Sequence, residues 1–270
     1  MAKLKMAIID GTGESDDSKY AAGMKNSFCM QLKTAFPSDA YYQRGPSSAG
    51  LEVAAEAWRA ARFLTDAYQQ DKNTRLMLAG YSRGGSAAIM AAELLAAASI
   101  PVDSLFLFDA VARHVYPGGE VIPANVKFSR HARRSQDVFL VLKYEGTISD
   151  GVGDTSNPMR PSFGNTGLQW KGHGDHELAT SFIGSHGALG GVGWPFILED
   201  PECQRNVACF MNGHLLARGV PVQLKAKDPD PGPGPRTPAK MTKIAGAALD
   251  ILMLAGHGKN LLLGGKKILP

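Results

Sequence analysis

The feature that most restricts the fold of this chain is the alternation of short apolar runs with amphipathic segments. The runs have the length and composition of buried strands, and the segments between them have the three- and four-residue apolar spacing of helices. Because parallel strands need helical crossovers that cover them, the pattern predicts an α/β fold with a mostly parallel sheet and helices on both faces. The predicted strands are 4–10, 74–79, 104–108 and 137–144, with a weaker signal at 179–183, and the predicted helices are 19–36, 50–70, 84–98 and 203–218.

Composition divides the chain into three parts. Residues 1–226 hold all of these elements and are predicted to form one α/β domain. Residues 227–239 include the proline-rich run DPDPGPGPRTP, which is semi-extended and cannot join a core, and are predicted to be a linker. Residues 240–270 are apolar and basic. We expect them to dock on the domain as a helix, with an interfacial membrane helix as the alternative.

Charge and composition exclude several classes of function. The formal net charge of +4 is too small to indicate a nucleic-acid partner, and the densest basic cluster, Arg130, Arg133 and Arg134, is interpreted as a solvated face. Three cysteines without a CxxC pair argue against a disulfide framework or a zinc ribbon. Neither a signal peptide nor an 18-residue apolar run is present, so we expect a chain made as a cytoplasmic protein without a spanning helix.

One pentapeptide carries a specific chemical signal. The residues between the second predicted strand and the following Ala-rich helix read Gly80-Tyr81-Ser82-Arg83-Gly84. This is the Gly-x-Ser-x-Gly pattern of a nucleophile elbow, in which small residues allow a sharp strand-to-helix turn that exposes the serine. Ser82 is therefore the predicted nucleophile. The alternative is a glycine-rich turn with an inert serine.

The same turn predicts an oxyanion hole. The backbone N–H of Arg83 would lie at a helix N-terminus and point at the developing negative charge. A second donor should come from an early strand-to-helix loop, for which Gly11, Thr12 and Gly13 are the best candidates, with the N–H of Thr12 preferred. A plain turn at these residues is the alternative.

In a hydrolase of this type the acid follows the serine along the chain, at the end of a later strand. Asp109 directly follows the apolar run SLFLF and is the predicted acid, although an aspartate there can also be a helix cap. Asp175, in a loop-like segment, is the alternative acid.

Seven histidines are candidates for the base. His114 and His131 resemble surface positions, and His214 lies in the last predicted helix. His186 follows a strand-like run and precedes a glycine-rich stretch, so it can reach the serine from a loop. His173 and His176 are the alternative bases, because geometry rather than spacing decides a triad. A metal site at these two histidines is not predicted, since no helix aligns their rings.

Five short motifs occur in order along the chain: 9–13 (IDGTG), 41–45 (YYQRG), 80–85 (GYSRGG), 108–111 (FDAV) and 186–191 (HGALGG). Together they resemble a family of α/β-hydrolases that includes the first class of type VI secretion lipase effectors. The resemblance covers roughly residues 5 to 200 and implies an α/β-hydrolase fold with an Asp109 acid and a His186 base. It also implies hydrolysis of phospholipid ester bonds and, in some members, delivery into rival bacteria. Ala188 stands where the family usually has aspartate.

The sequence thus predicts a serine hydrolase that needs no cofactor and no metal. An ester or phospholipid is the expected substrate, with a transient membrane contact, and the resemblance allows export by a signal-independent secretion system. Secretion or immunity partners cannot be identified from the residues. Two main alternatives remain: an esterase or thioesterase acting on soluble substrates, and a non-catalytic binding module on a hydrolase scaffold. A metal-dependent hydrolase using His173 and His176 is the third and least favoured alternative.

Overall fold

A parallel sheet forms the centre of the molecule. The computed structural model describes residues 3–47, 50–134, 166–172, 179–193 and 198–227. The sheet strands are β1 (Leu4–Ile9), β2 (Ala40–Gln43), β3 (Arg75–Tyr81), β4 (Ser104–Phe108), β6 (Ser129–Arg134) and β8 (Ala179–Phe182). Their order is β2–β1–β3–β4–β6–β8, with every neighbouring pair parallel. A separate parallel pair joins β5 (Val121–Ile122) to β7 (Gln169–Trp170).

Helices cover both faces of the sheet, as the alternation of the sequence predicts. One face packs against α3 (Val53–Gln70) and α4 (Arg83–Ala97). The other face packs against α1 (Asp17–Met24), α2 (Phe28–Ala35) and α6 (Asp200–Ala217), and the single-turn α5 (His186–Leu189) lies near α6. Alternate residues of each strand face opposite cores, so the two faces of the sheet bury separate apolar clusters. The α/β prediction is confirmed.

One predicted helix differs from the structure, and strands β2 and β6 were not predicted. The single helix expected over 19–36 is two helices, α1 and α2. Ser27 is the N-cap of α2, because its hydroxyl accepts a hydrogen bond from the N–H of Met30 at 2.9 Å. Strand β6 was not predicted, since its sequence SRHARR has a single apolar residue, Ala132. The strand predicted at 137–144 lies outside the described residues.

The prediction of a solvated basic face is wrong. Arg130 and Arg134 are buried on β6, which lies between two other strands of the sheet. His131, expected at the surface, is also buried on this strand, as is His114 in the loop after β4. Such residues are buried only with polar partners: Arg130 donates to the Ser129 carbonyl at 2.8 Å, and His114 lies 2.8 Å from the Ser86 hydroxyl. The partners of Arg134 and His131 belong to the site described below.

Three strand ends meet at the carboxyl edge of the sheet. Asp10 follows β1, Ser82 follows β3 and Asp109 follows β4, and β3 is the neighbour of both other strands. Open parallel sheets bind their ligands outside this edge. The topology therefore brings distant parts of the sequence to one place.

Candidate active site

Ser82 sits on a strained turn between β3 and α4. Its backbone angles, φ 56° and ψ −131°, are rare for a residue with a Cβ and match the sharp elbow that the motif predicts. Ser82 N donates to the carbonyl of Phe108 at 3.1 Å, which ties the turn to β4. Gly84 is required here, because a Cβ at that position would overlap the carbonyl oxygen of Asp10.

Ser82, His186 and Asp109 form a hydrogen-bonded chain. The Ser82 Oγ and the His186 Nε2 are 2.8 Å apart, and the His186 Nδ1 lies 2.6 Å from the Asp109 Oδ2. In the amino-acid sequence the serine comes first, the acid second and the base last, which is the order found in α/β-hydrolases. The structure thus brings together the three residues that the sequence singled out for nucleophile, acid and base.

The charges around this chain favour an ionised acid beside a neutral histidine. Burial alone would raise the pKa of Asp109, but the hydrogen bond to His186 and the charge of Arg134 outweigh it and hold that pKa well below its usual value. Burial lowers the pKa of His186, and the contact with Asp109 offsets only part of this effect. At neutral pH the imidazole can therefore accept a proton from Ser82.

Strand β6 supplies partners for the acid. Asp109 accepts a hydrogen bond from the Arg134 N–H at 3.0 Å through Oδ1, and the Arg134 Nε lies 3.9 Å from its Oδ2. His131 Nε2 accepts from the N–H of Ala110 at 3.0 Å. Burial lowers the pKa of His131 to about 4, so the ring stays neutral and can accept. Sequence reasoning missed both residues, because a basic run gives no sign of burial.

Ser185 and Tyr81 hold the segment that carries His186. It is the first residue of α5, which is capped by the hydroxyl of Ser185. Ser185 in turn donates to the buried carboxylate of Asp200, from its N–H at 2.8 Å and from its Oγ at 2.6 Å. The Tyr81 hydroxyl donates to the His186 carbonyl at 3.1 Å, and the two rings lie with centroids 5.0 Å apart. These contacts fix the imidazole toward Ser82.

Ala188, the departure from the family pattern, lies in the apolar core. It is fully buried and belongs to the same cluster as Leu189 and Cys203. A carboxylate at this place would be desolvated. Alanine is the residue type that this environment favours.

The turn after β1 lies against the elbow. Gly11 approaches the ring of Tyr81 so closely that a Cβ would overlap it, and the Thr12 hydroxyl accepts a hydrogen bond from the Arg83 side chain. Arg83 is the first residue of α4, so its N–H is free of helical pairing. A Cβ on Gly13 would overlap the ring of Tyr20. Of the four residues expected around an oxyanion, Arg83 belongs to the elbow, Gly11 and Thr12 contact it, and Gly13 packs against Tyr20.

The buried carboxylate of Asp10 binds the backbone of this turn. Asp10 accepts hydrogen bonds from the Gly11 N–H at 2.8 Å, from the Ser27 hydroxyl at 2.5 Å and from the Tyr42 hydroxyl at 2.9 Å. Tyr20 extends the network by donating to the Gly11 carbonyl at 2.8 Å. Burial raises the pKa of Asp10 to about 6 despite these donors. A polar residue directly after an apolar strand was the available sequence signal.

The alternative residues cannot be placed. His173, Asp175 and His176 lie outside the described residues, as do residues 228–270. In the described part of the chain, no group of three or more metal-binding side chains is found. None of the helices that the structure describes is both long and apolar enough to span a bilayer.

Comparisons with known proteins give only distant similarities. No model of a protein family matches the chain, and no curated protein matches it in sequence. Among solved structures, a cutinase-like protein from Cryptococcus sp. is 23% identical over 39% of this chain and 52% of its own, with a TM-score of 0.28. Phospholipase PlaB from Legionella pneumophila is 13% identical over 41% of this chain and 25% of its own, with a TM-score of 0.29.

A third solved structure matches over a longer span. The thioesterase RedJ from the prodiginine pathway of Streptomyces coelicolor is 12% identical over 70% of this chain and 81% of its own, with a TM-score of 0.34. By contrast, this chain spans only about half the length of the cutinase-like protein and a quarter of the phospholipase. Similarities this low decide neither family nor substrate. The fold assignment rests on the parallel sheet and the elbow themselves, and the resemblance to the secretion lipase effectors stays a prediction.

Proposed function

We propose that this chain is a serine hydrolase that cleaves carboxylic ester bonds. One observation carries the proposal: the hydrogen-bonded chain from the Ser82 Oγ through His186 to Asp109, with 2.8 Å and 2.6 Å separations. A neutral imidazole between a hydroxyl and an ionised carboxylate is the arrangement that activates serine for acyl transfer. Its position at the carboxyl edge of the sheet is where substrates of parallel α/β proteins bind.

The geometry supports the following reaction. The Ser82 Oγ attacks the ester carbonyl carbon while its proton passes to the His186 Nε2, and Asp109 stabilises the imidazolium through Nδ1–H. The oxyanion of the tetrahedral intermediate is held by the N–H groups of Arg83 and Thr12. Collapse breaks the ester bond, and the imidazolium protonates the departing alkoxide. A water deprotonated by His186 then attacks the acyl-enzyme and releases the acid and free Ser82.

A fluorophosphonate probe tests this directly, because it reacts only with an activated serine. We expect the wild type to be labelled and Ser82→Ala to be unlabelled. His186→Ala and Asp109→Asn should label several orders of magnitude more slowly, since residues of a triad act as a unit. Ser99→Ala, at an exposed serine after α4, is the matched control and should label like the wild type. An unlabelled wild type with intact circular dichroism would favour the binding-module alternative.

A lipid is the substrate class that we favour within this function. Two apolar side chains, Leu51 and Val115, are 58% and 39% exposed. Leu51 follows Gly50, which approaches the Arg83 side chain, and the Leu51 carbonyl accepts a hydrogen bond from the Tyr116 hydroxyl next to Val115. Exposed apolar side chains in segments that contact the elbow suit an acyl chain or a membrane surface. The family resemblance points to the same substrate.

Phospholipid vesicles and a soluble short-chain ester separate the lipid proposal from its alternative. For a lipase, Leu51→Ser and Val115→Ser should lower vesicle hydrolysis about tenfold and leave turnover of the soluble ester unchanged. Equal effects on both substrates, or activity on the soluble ester alone, would favour an esterase or thioesterase.

The most specific version of the proposal is that the chain acts as an antibacterial effector, and this version rests on the family resemblance alone. Expression of the wild type in the periplasm of a susceptible bacterium should stop growth, whereas Ser82→Ala should be tolerated. Growth unaffected by an active enzyme would separate hydrolysis from this role.

A further inference from the structure

The side chain of Arg83 is buried next to the nucleophile, and its direct hydrogen-bond partners are neutral oxygens. Arg83 is only 8% exposed. Its Nε donates to the Arg113 carbonyl at 2.6 Å, and its Nη1 donates to the Thr12 hydroxyl at 2.9 Å. Among the described residues no carboxylate forms an ion pair with it, although the charge of Glu52 favours the guanidinium and the charge of Arg113 opposes it. Burial lowers the pKa of Arg83 to about 10, so the guanidinium remains charged at neutral pH.

This guanidinium joins three separate segments of the site. Arg83 belongs to the elbow, Thr12 to the turn after β1, and Arg113 to the loop that follows Asp109 and β4. A fourth segment closes over it, because a Cβ on Gly50 would lie 3.3 Å from the Arg83 Cδ and Nε. The two residues whose N–H groups are proposed to bind the oxyanion, Arg83 and Thr12, are thus linked by a side-chain bond as well as by their packing.

We infer that the Arg83 side chain is a positioning residue for the oxyanion hole. Its bonds to Thr12 and to the Arg113 carbonyl hold the early turn against the elbow. This inference rests on the proposed function, since it assigns a role within the same site. A buried cation bound only to neutral oxygens is costly to fold, and a site that develops negative charge uses such a group.

The role has two separable parts. The hydrogen bond to Thr12 sets the position of one donor, and the guanidinium charge acts on every charge nearby. The groups that face His186 are Asp109 after β4, Arg134 on β6, Arg83 on α4 and the ring of Tyr81 on β3. Among these, Arg83 contributes to lowering the pKa of His186. Removal of the Arg83 charge should therefore raise that pKa, whereas removal of the Thr12 hydroxyl should leave it unchanged.

Three variants of the full chain test the inference. Thr12→Val keeps the side-chain shape and the Arg83 charge but removes the acceptor. Arg83→Met keeps length and removes both donors and charge, and Arg83→Lys keeps only the charge. Arg62→Met, at an exposed arginine on α3, is the control. For each variant, kcat and KM on a soluble short-chain ester are measured from pH 5 to 9, with circular dichroism and Tm.

We expect Thr12→Val to lower kcat about tenfold with KM within about twofold of the wild type, because the loss falls on the transition state. Arg83→Met should lower kcat about a hundredfold, the scale of one lost oxyanion donor, and move the acid limb of kcat/KM to higher pH. Arg83→Lys should lower kcat without moving that limb. Arg62→Met should match the wild type.

Two results would overturn this inference and leave the proposed function standing. One is a wild-type kcat in both Thr12→Val and Arg83→Met. The other is a change in KM with no change in kcat. Should Arg83→Met fail to fold, Thr12→Val decides, because it removes one hydroxyl and no charge. A wild type that neither labels with fluorophosphonate nor hydrolyses esters overturns the proposed function and this inference together.

Discussion

Ser82 and Asp109 both hold backbone angles that side-chain-bearing residues rarely adopt. Their φ values are 56° and 41°. Each conformation costs on the order of 1–3 kcal/mol and persists because the surroundings hold it. The bonds that hold it join neighbouring strand ends: Val111 N donates to the Ser82 carbonyl at 2.9 Å, and Asp109 N donates to the Ala132 carbonyl at 2.7 Å. The site thus places strain at the two residues whose orientation the proposed reaction needs.

Ser82→Gly should stabilise the protein while abolishing hydrolysis, because glycine adopts a positive φ without steric cost. We expect a rise of about 1 kcal/mol in the free energy of unfolding, measured by urea denaturation. Ser99→Gly is the matched control: Ser99 also has φ 56° but follows α4 far along the chain from the proposed triad. It should gain similar stability and keep full activity. A destabilised Ser82→Gly would show that the elbow is unstrained.

The pH dependence of the reaction should follow His186. Because its pKa is lowered by burial, the base is neutral at pH 7, and kcat/KM should fall only as pH drops through a value below 6.5. In Asp109→Asn the carboxylate that raises the His186 pKa is gone, so the acid limb should move still lower and kcat should fall about 10⁴-fold. Stopped-flow or plate assays on a soluble ester measure both. An acid limb above pH 6.5 would contradict this.

At the scale of elements, the single turn α5 depends on a contact with α6. Ser185 caps α5 and gives both its N–H and its hydroxyl to the buried carboxylate of Asp200, near the start of α6. A four-residue helix has little stability of its own, since helix nucleation is unfavourable. The position of His186 is therefore set by this carboxylate and by Tyr81 rather than by helix propensity.

Ser185→Ala should lower both stability and activity. It removes a cap and leaves an oxygen of Asp200 without its donor, which together cost about 1–3 kcal/mol. We also expect kcat to fall about tenfold, because His186 begins the helix that loosens. Thr34→Ala, at an exposed threonine of α2, is the control and should change neither quantity by much. Urea denaturation measures the free energy of unfolding, and turnover of a soluble ester measures kcat. A variant with wild-type stability and reduced kcat would show that the two losses are independent.

For the whole molecule, sequence reasoning succeeded where a residue follows an apolar strand. β1, β3 and β4 are recognisable from hydrophobicity, so Ser82, Asp109 and the turn at Gly11 could be placed at one edge, whereas the role of Asp10 was not predicted. It failed at β6, whose burial comes from polar partners: Arg134 pairs with Asp109, and His131 accepts from Ala110. Periodicity reports apolar burial only, so a strand buried through charge pairing leaves no pattern.

The predicted boundary near residue 226 can be tested by truncation. Leu224 is buried and exchanges two hydrogen bonds with Asn212, and Lys225 N donates to Gln31 at 2.8 Å. A chain ending at residue 227 should therefore keep its Tm within about 2 °C and its turnover of a soluble ester. A chain ending at residue 219 loses the buried side chains of Val220 and Leu224 and should lose about 3 kcal/mol or more. A large loss in the longer truncation would contradict the boundary.

One aromatic ring underlies both halves of the site. Tyr81 is approached by Gly11, from the turn that offers an oxyanion donor, and by Gly190, from the segment that follows the base, and neither position leaves room for a Cβ. The two loops are therefore coupled through a single rigid spacer. Grafting either loop from a homologue without its partner, or exchanging Tyr81 alone, would misalign both at once, so new specificities in this scaffold have to be evolved or designed with all three segments changed together.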